Sequence, residues 1–306
     1  MEFLVGCIWR FSMLYGDEKA VAKLMATASN IAEQNNFKLV FAAVQGSISR
    51  GLARFDSDYD IRFLYVNKDS KCIEGHSGTY KEKDIVYRYY PEEDCFYDKI
   101  AFWEAKAFFS FLERPELNDA GLSVGLYNQV FWTLTSPYVW DPYGLVNKVL
   151  PIANKIINKK WLWNYFINYI EERKSKGQVV LRDYIYIVAT IWQMQWLETM
   201  DSYPPLNMKT LEFICDNQKV IEIVNGYIRD MKKQAQMDAS IKRKSHSGDL
   251  TERSGYLDAW IEESIAIQRN IVYRPVEESR VRRGTDYIDN ILNQALIREK
   301  IQGVVE

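Results

Sequence analysis

Histidine and cysteine are scarce in this chain, with two and four copies among 306 residues. His76 and His246 alone leave little material for a zinc site or a histidine-based triad. Cys7, Cys72, Cys95 and Cys215 stand far apart and form no Cys-x-x-Cys pair. Reduced, structural thiols and a cytoplasmic location are therefore expected. Charge of one sign is also missing: the formal net charge is −2. That excludes a nucleic-acid coat over the whole surface and leaves room for a local basic groove. No apolar run is long enough to span a bilayer, so no membrane partner is expected. The N-terminal apolar stretch is broken by Arg10 and lacks the basic lead of a signal peptide. Internal repeats and low-complexity tracts are absent as well.

What is present is apolar and aromatic. Apolar residues make up 47% of the chain, enough for a sizeable core in one large domain or two ordinary ones. Twenty Tyr and nine Trp suit helical cores with hydroxyls at their edges, or platforms for stacked bases. The spacing of Ala20, Val21, Leu24, Met25, Ala28, Ile31 and Ala32 predicts a helix over 17–34. Apolar runs over 38–45 and 59–66 predict strands covered on both faces. A further strand is expected over 84–90, then a helix from Phe102 to Leu112. Beyond that the pattern becomes helical, over 120–135, 146–174, 178–200, 207–232 and 255–300. An α/β head followed by a helical body is expected, with a boundary near residue 140. Two basic clusters stand out, Lys242-Arg243-Lys244 and Arg280 with Arg282-Arg283. They suit a solvated face or a phosphate backbone.

The chemistry concentrates between the first two strands, in Gln45-Gly46-Ser47-Ile48-Ser49-Arg50-Gly51 and Asp56-Ser57-Asp58-Tyr59-Asp60. Gly46 can take backbone angles that bring amide N–H groups close to an anion, and Ser47 adds a hydroxyl; Gly51 permits a second close approach. Asp58 and Asp60 are two apart on a strand, so both emerge on one face, roughly 6–7 Å apart. Two carboxylates aimed together in a poorly hydrated cleft repel, and a hard divalent cation resolves the conflict. Asp56 and Ser57 fit an ordinary turn. Asp60 does not, because it has entered a strand, where Asp is depleted. Gly-Ser, ten residues, then Asp-x-Asp arises by chance in roughly one chain of this length per several hundred. A phosphate cradle beside a carboxylate pair is a site for a nucleoside triphosphate and Mg2+.

The stretch GSISRGLARFDSDYDIRFLYV resembles the signature of the DNA polymerase beta-like nucleotidyltransferase superfamily, and SDYDIRF its branch associated with RNA repair. The likeness extends through Phe102–Ala107, Tyr127–Trp132, Ser136–Val139, Val180–Tyr186 and Pro204-Pro205, over roughly residues 35 to 235. It implies an α+β fold: a nucleotidyltransferase head (residues 1–140), a small mixed sheet with flanking helices, followed by a mostly α-helical, acceptor-binding C-terminal body (141–306). It also implies transfer of a nucleotidyl group from an NTP, with ATP the expected substrate, to an acceptor hydroxyl. Carried over position by position, Gly46, Ser47, Gly51 and Ser57 bind the nucleotide, and Asp58 and Asp60 bind two Mg2+ or Mn2+ ions. Asp98 is the expected third ligand and catalytic carboxylate, Glu104 beside Trp103 the alternative, and Asp94 a further candidate. Ile48 stands where many relatives carry Arg, and Ala189-Thr190 replaces a basic residue. Phosphate contacts there are expected to be lost, or moved for instance to Arg50, Arg62 or Arg182, each of which suits a structural ion pair equally well.

The RNA-repair likeness makes RNA the expected acceptor, in RNA repair or at a tRNA-like 3′ end. A protein AMP-transferase of toxin–antitoxin type shares the Gly-Ser and Asp-x-Asp motif but lacks a large body. A nucleotide-sensing or scaffold module without turnover is the reading from another class. Sequence alone says nothing of oligomeric state.

Overall fold

The computed structural model describes residues 18–54, 57, 59–67, 86–89, 99–113, 122–175, 180–200, 202–240, 254–273 and 276–302. The chain is mixed α/β near its N-terminus and mostly helical toward its C-terminus. Its contacts define two compact units. The first comprises Met1–Gly46, Asp58–Ile156 and Val276–Glu306; the second comprises Ser47–Ser57 and Ile157–Pro275. The 140/141 division expected from sequence falls inside the first unit, which also takes in the C-terminal helix.

A five-stranded sheet organises the first unit. β1 (Phe37–Gln45) lies at its heart, antiparallel to β2 (Asp60–Asn67). β2 runs parallel to β4 (Lys99–Glu104), and β3 (Val86–Tyr89) pairs antiparallel with β4 at one edge. The short β5 (Val139–Trp140) pairs with β1 at the other edge, giving the order β3-β4-β2-β1-β5. Val40 through Val44 are buried without alternation, as are Ile61, Phe63 and Leu64. Both faces are covered, which is why these strands read as continuous apolar runs. Helix α1 (Glu18–Gln34) packs on β1 and buries Leu24, Met25, Ala28, Ile31 and Ala32, the residues whose period predicted it.

One expectation fails here. Phe102, Trp103 and Glu104 belong to β4, and helix α3 runs only over Ala105–Ser110, after the one-turn helix α2 (Gly46–Ser49) earlier in the chain. Ile100-Ala101-Phe102-Trp103 is buried on both faces of a central strand. It has no period of its own and merges in sequence with the buried Phe108 and Phe109 of the helix. The break is made by Glu104, whose Oε2 accepts a 2.7 Å hydrogen bond from the Ala107 N–H as a helix N-cap.

The first unit closes with α4 (Leu122–Leu134), α5 (Leu145–Lys155) and the last helix. Ser136, just past α4, donates from its buried hydroxyl to the Val44 carbonyl at 2.5 Å, and the Val44 N–H donates to the Tyr138 carbonyl at 3.0 Å. This stitches β5 to the C-terminal end of β1.

In the second unit, helix α6 (Lys159–Lys174) is separated from α5 by Asn158, whose side chain caps the Trp161 N–H. Helix α7 (Leu181–Thr199) is apolar nearly all round, as a central helix must be. It packs against α6, the short α8 (Met208–Leu211), α9 (Gln218–Ser240) and α10 (Gly255–Arg269). Its Tyr184 hydroxyl donates to Asp258 of α10 at 2.6 Å. Among the described residues, no helix is long and apolar enough to cross a membrane.

The last helix, α11 (Glu278–Gln302), belongs to the first unit and packs against α3 and α5. The buried Lys106 lies 3.7 Å from Asp289, and Thr285 donates to Glu113. The closest approach is at Gly284, where an added Cβ would stand 2.8 Å from Ile156 Cγ2 and 3.0 Å from its Cδ1. Helix propensity favours Ala over Gly by about 1 kcal/mol, but overpacking costs about 1–3 kcal/mol. Gly284→Ala is therefore expected to lower stability by about 1 kcal/mol, against its helix propensity, as a shift of the urea unfolding midpoint.

Candidate functional site

β1 and β2 meet at the register pair Gln45–Asp60. Gln45 is fully buried, and its amide donates to the Thr133 hydroxyl of α4 at 2.7 Å. That bond fixes where β1 ends. The next residue, Gly46, has φ +70°, the left-handed region that side chains other than glycine's rarely adopt. A Cβ built on Gly46 would stand 3.5 Å from Asp60 Cβ and 3.9 Å from Asp60 Oδ2. Gly46 and Asp60 are thus neighbours, and a methyl on Gly46 would reach ordinary van der Waals contact with the Asp60 side chain, so it is the left-handed backbone that calls for glycine here. Asp60 is half-buried at the mouth of β2. On its other side the register partner is Lys99, the first residue of β4. Asp58, Asp94 and Asp98 lie outside the described residues, as does the Lys242–Lys244 cluster.

Two other predicted residues sit on the same sheet. Arg62 is two residues along β2 from Asp60, and its guanidinium lies over the Trp103 ring at 5.6 Å. Glu104 pairs in register with Tyr65, five residues beyond Asp60 and about 16 Å along the strand at ordinary rise. The structure does not bring Glu104 to Asp60; its carboxylate is the cap of α3. It also neighbours Tyr65, whose hydroxyl burial pushes up to about 12, with the Glu104 charge adding to the effect.

Ser47 and Ser57 do come together. The Ser47 hydroxyl donates to Ser57 Oγ at 3.2 Å, and Ser57 Oγ also accepts from the Arg54 N–H at 2.9 Å. The turn between them is held by the second unit. The Met208 N–H donates to the Arg50 carbonyl at 3.0 Å, and Lys232 Nζ donates to the Gly51 carbonyl at 3.4 Å. Gly51 has φ +72°, and a Cβ on it would meet the Asn207 side-chain amide at 3.3 Å. Asn207 is itself fixed as the N-cap of α8, accepting from the Lys209 N–H at 2.9 Å.

The Arg50 side chain lies over the Tyr186 ring, 5.4 Å from its centroid. Arg173 of α6 lies 5.1 Å from the same ring and 4.4 Å from that of Tyr169, and it pairs with the buried Asp183. Burial raises the Tyr169 hydroxyl above its ordinary range, outweighing the nearby Arg173 and Arg50 charges. Arg182 is exposed on the first turn of α7. Arg280, Arg282 and Arg283 are exposed on α11, in the first unit.

Sequence reasoning missed Asn207, Lys232, Arg173 and Tyr169, all distant in sequence from the turn. Only Asp183 left a trace: a carboxylate inside the apolar run from Leu181 to Trp192 signals a buried partner.

A carboxylate at a strand mouth suits a hard cation, which takes oxygen ligands. The geometry at Gly46 makes one energetic demand. Gly46→Ala is expected to destabilise the fold by about 1–2 kcal/mol, the cost of a left-handed non-glycine residue, measured by urea unfolding.

The sequence matches the RNA repair pathway DNA polymerase beta family, RlaP, over residues 21–294. It is also similar to the uncharacterised protein YcgL of Bacillus subtilis (strain 168), with 20% identity over 234 residues, covering 74% of this chain and 78% of YcgL. With the motif, the mixed sheet and the match running nearly end to end, the chain belongs to the RNA repair pathway DNA polymerase beta family and so to the nucleotidyltransferase class.

Proposed function

We propose that the protein transfers a nucleoside monophosphate from an NTP, ATP in the first instance, to a hydroxyl of RNA. The acceptor oxygen bonds to the α-phosphorus as the bridge to the β-phosphate breaks, and pyrophosphate leaves. The observation that carries this reading is the placement of the left-handed Gly46 next to Asp60, at the paired ends of β1 and β2. A carboxylate at a strand mouth beside a glycine turn suits a cation shared with a phosphate.

Gly46, Ser47, Gly51 and Ser57 would hold the triphosphate, through backbone N–H groups and two hydroxyls. Arg50 lies on the same turn. Arg62 and Arg182 remain candidates for the nucleotide, one beside Trp103 and one on an exposed helical turn. Asp60, with Asp58 and Asp98, would hold two Mg2+ or Mn2+ ions. Such ions, when bound, lower the pKa of the acceptor hydroxyl and offset charge on the departing pyrophosphate. The carboxylates and the Gly46 cradle suit this, because hard cations take oxygen ligands and share them with substrate phosphates.

Asp60→Asn is expected to cut transfer by about 10²–10³-fold while leaving the urea midpoint unchanged. The assay supplies α-labelled NTP, Mg2+ or Mn2+, and total cellular RNA or protein. Label in RNA with wild type, lost in the variant, supports the proposal; label in protein alone makes the acceptor a protein. Full transfer by the variant would remove Asp60 from the reaction.

RNA binding carries its own electrostatic signature, because phosphate contacts release counterions. Replacing exposed Arg282 and Arg283 with Gln is expected to weaken RNA binding across sequences. It should also flatten the plot of log affinity against log salt by about 1.4, the value for two single-strand phosphate contacts. An unchanged slope would mean these arginines are solvated surface.

A further inference from the structure

Arg50 stands three residues after Ser47, and everything around it is arranged to hold it still. Its carbonyl is bound by the Met208 N–H, and the next carbonyl, that of Gly51, by Lys232. Its guanidinium lies on Tyr186. Tyr186 is in turn flanked by Arg173, which stacks on Tyr169 as well and pairs with buried Asp183. Both guanidiniums therefore lean on one tyrosine ring. An arginine that folds on a ligand from a free state gives up rotamer entropy. One already seated on an aromatic face gives up little.

We infer that Tyr186 is a positioning residue for nucleotide binding: its ring, backed by the Arg173–Asp183 pair, presets the Arg50 guanidinium for the triphosphate on the Ser47–Ser57 turn. This rests on the reading of that turn as the phosphate site. The cation–π attraction supplies the hold, since a guanidinium over a partly desolvated ring is bound appreciably more strongly than one in water. Asp183 fixes Arg173, so the ring has a rigid neighbour on α6. A purely structural ion-pair cluster would need Arg173 and Asp183, but it would not need Arg50 on the ring.

The test is a double-mutant cycle on ATP affinity, read by calorimetry on the full-length protein. Arg50→Gln is expected to weaken ATP binding by roughly ten- to a hundredfold, the value of a charge-assisted hydrogen bond. Tyr186→Leu should weaken it by about tenfold, and Tyr186→Phe, which keeps the ring, should restore it. The double variant should bind no worse than Arg50→Gln alone, because Tyr186 acts through Arg50. Should Tyr186→Leu not fold, Tyr186→Met fills the volume with an unbranched chain and takes its place. Additive losses, or wild-type affinity in the ring-less variant, would overturn the positioning role while leaving the phosphate site standing. Wild-type affinity in Arg50→Gln would remove Arg50, and with it the role of Tyr186. A wild-type protein that binds no ATP at all would end the transferase reading itself.

Discussion

The antiparallel register of β1 and β2, ending at Gln45 opposite Asp60, is the constraint on which the candidate site depends. Side chains alternate along a strand, so a slip of one residue would send Asp60 to the other face and separate it from Gly46. Three contacts hold β1 in place. A slip would take Val44, Phe63 and their neighbours out of the packing they fill on either face of the sheet. The Gln45 amide donates to Thr133, and the Ser136 hydroxyl to the Val44 carbonyl. A buried amide or carbonyl without a partner costs on the order of 1–3 kcal/mol, so each bond acts as a stop. Gly46 then turns the chain in the left-handed region, a backbone conformation that favours glycine, next to Asp60.

The second unit obeys a different logic. Its central helix, α7, is buried on almost every side, yet it carries Asp183, Thr190 and Gln193. Asp183 is tolerated because Arg173 neutralises it, and the pair stiffens the faces of Tyr169 and Tyr186. The turn Ser47–Ser57 belongs by its contacts to this unit, through Asn207, Met208, Lys232 and Tyr186. The turn thus derives its shape from helices that follow it by well over a hundred residues. That turn needs such support because glycine and serine residues have no packing power of their own.

Much of this was legible in advance. The apolar runs of β1 and β2 and the period of α1 announced the start of the head, since a covered strand and an amphipathic helix differ in period. Gly46 was legible from chemistry, because a glycine before serine at a strand end is where φ can turn positive, and Asp60 because a carboxylate inside a strand needs a reason. β4 was not legible. Phe102 and Trp103 run on into the helix without a change of pattern, and only pairing with β2 and β3 makes them a strand. Glu104 could have been ligand or cap from sequence; its place in the register and the Ala107 N–H make it a cap.

By itself the sequence determined the reaction class: a glycine–serine pair and two spaced aspartates are local features, and local chemistry survives without knowledge of the fold. Arg50 stands on the turn by sequence, but what surrounds it, Arg62 and Arg182 was a matter for tertiary structure. The folded chain sets Arg62 against Trp103 and leaves Arg182 exposed on a helical turn, and it lays Arg50 on Tyr186. The same applies to Arg282 and Arg283, which follow the helical body in sequence but belong to the sheet-bearing unit. Which residues meet across more than a hundred positions depends on how apolar faces are buried, and that is a property of the whole chain.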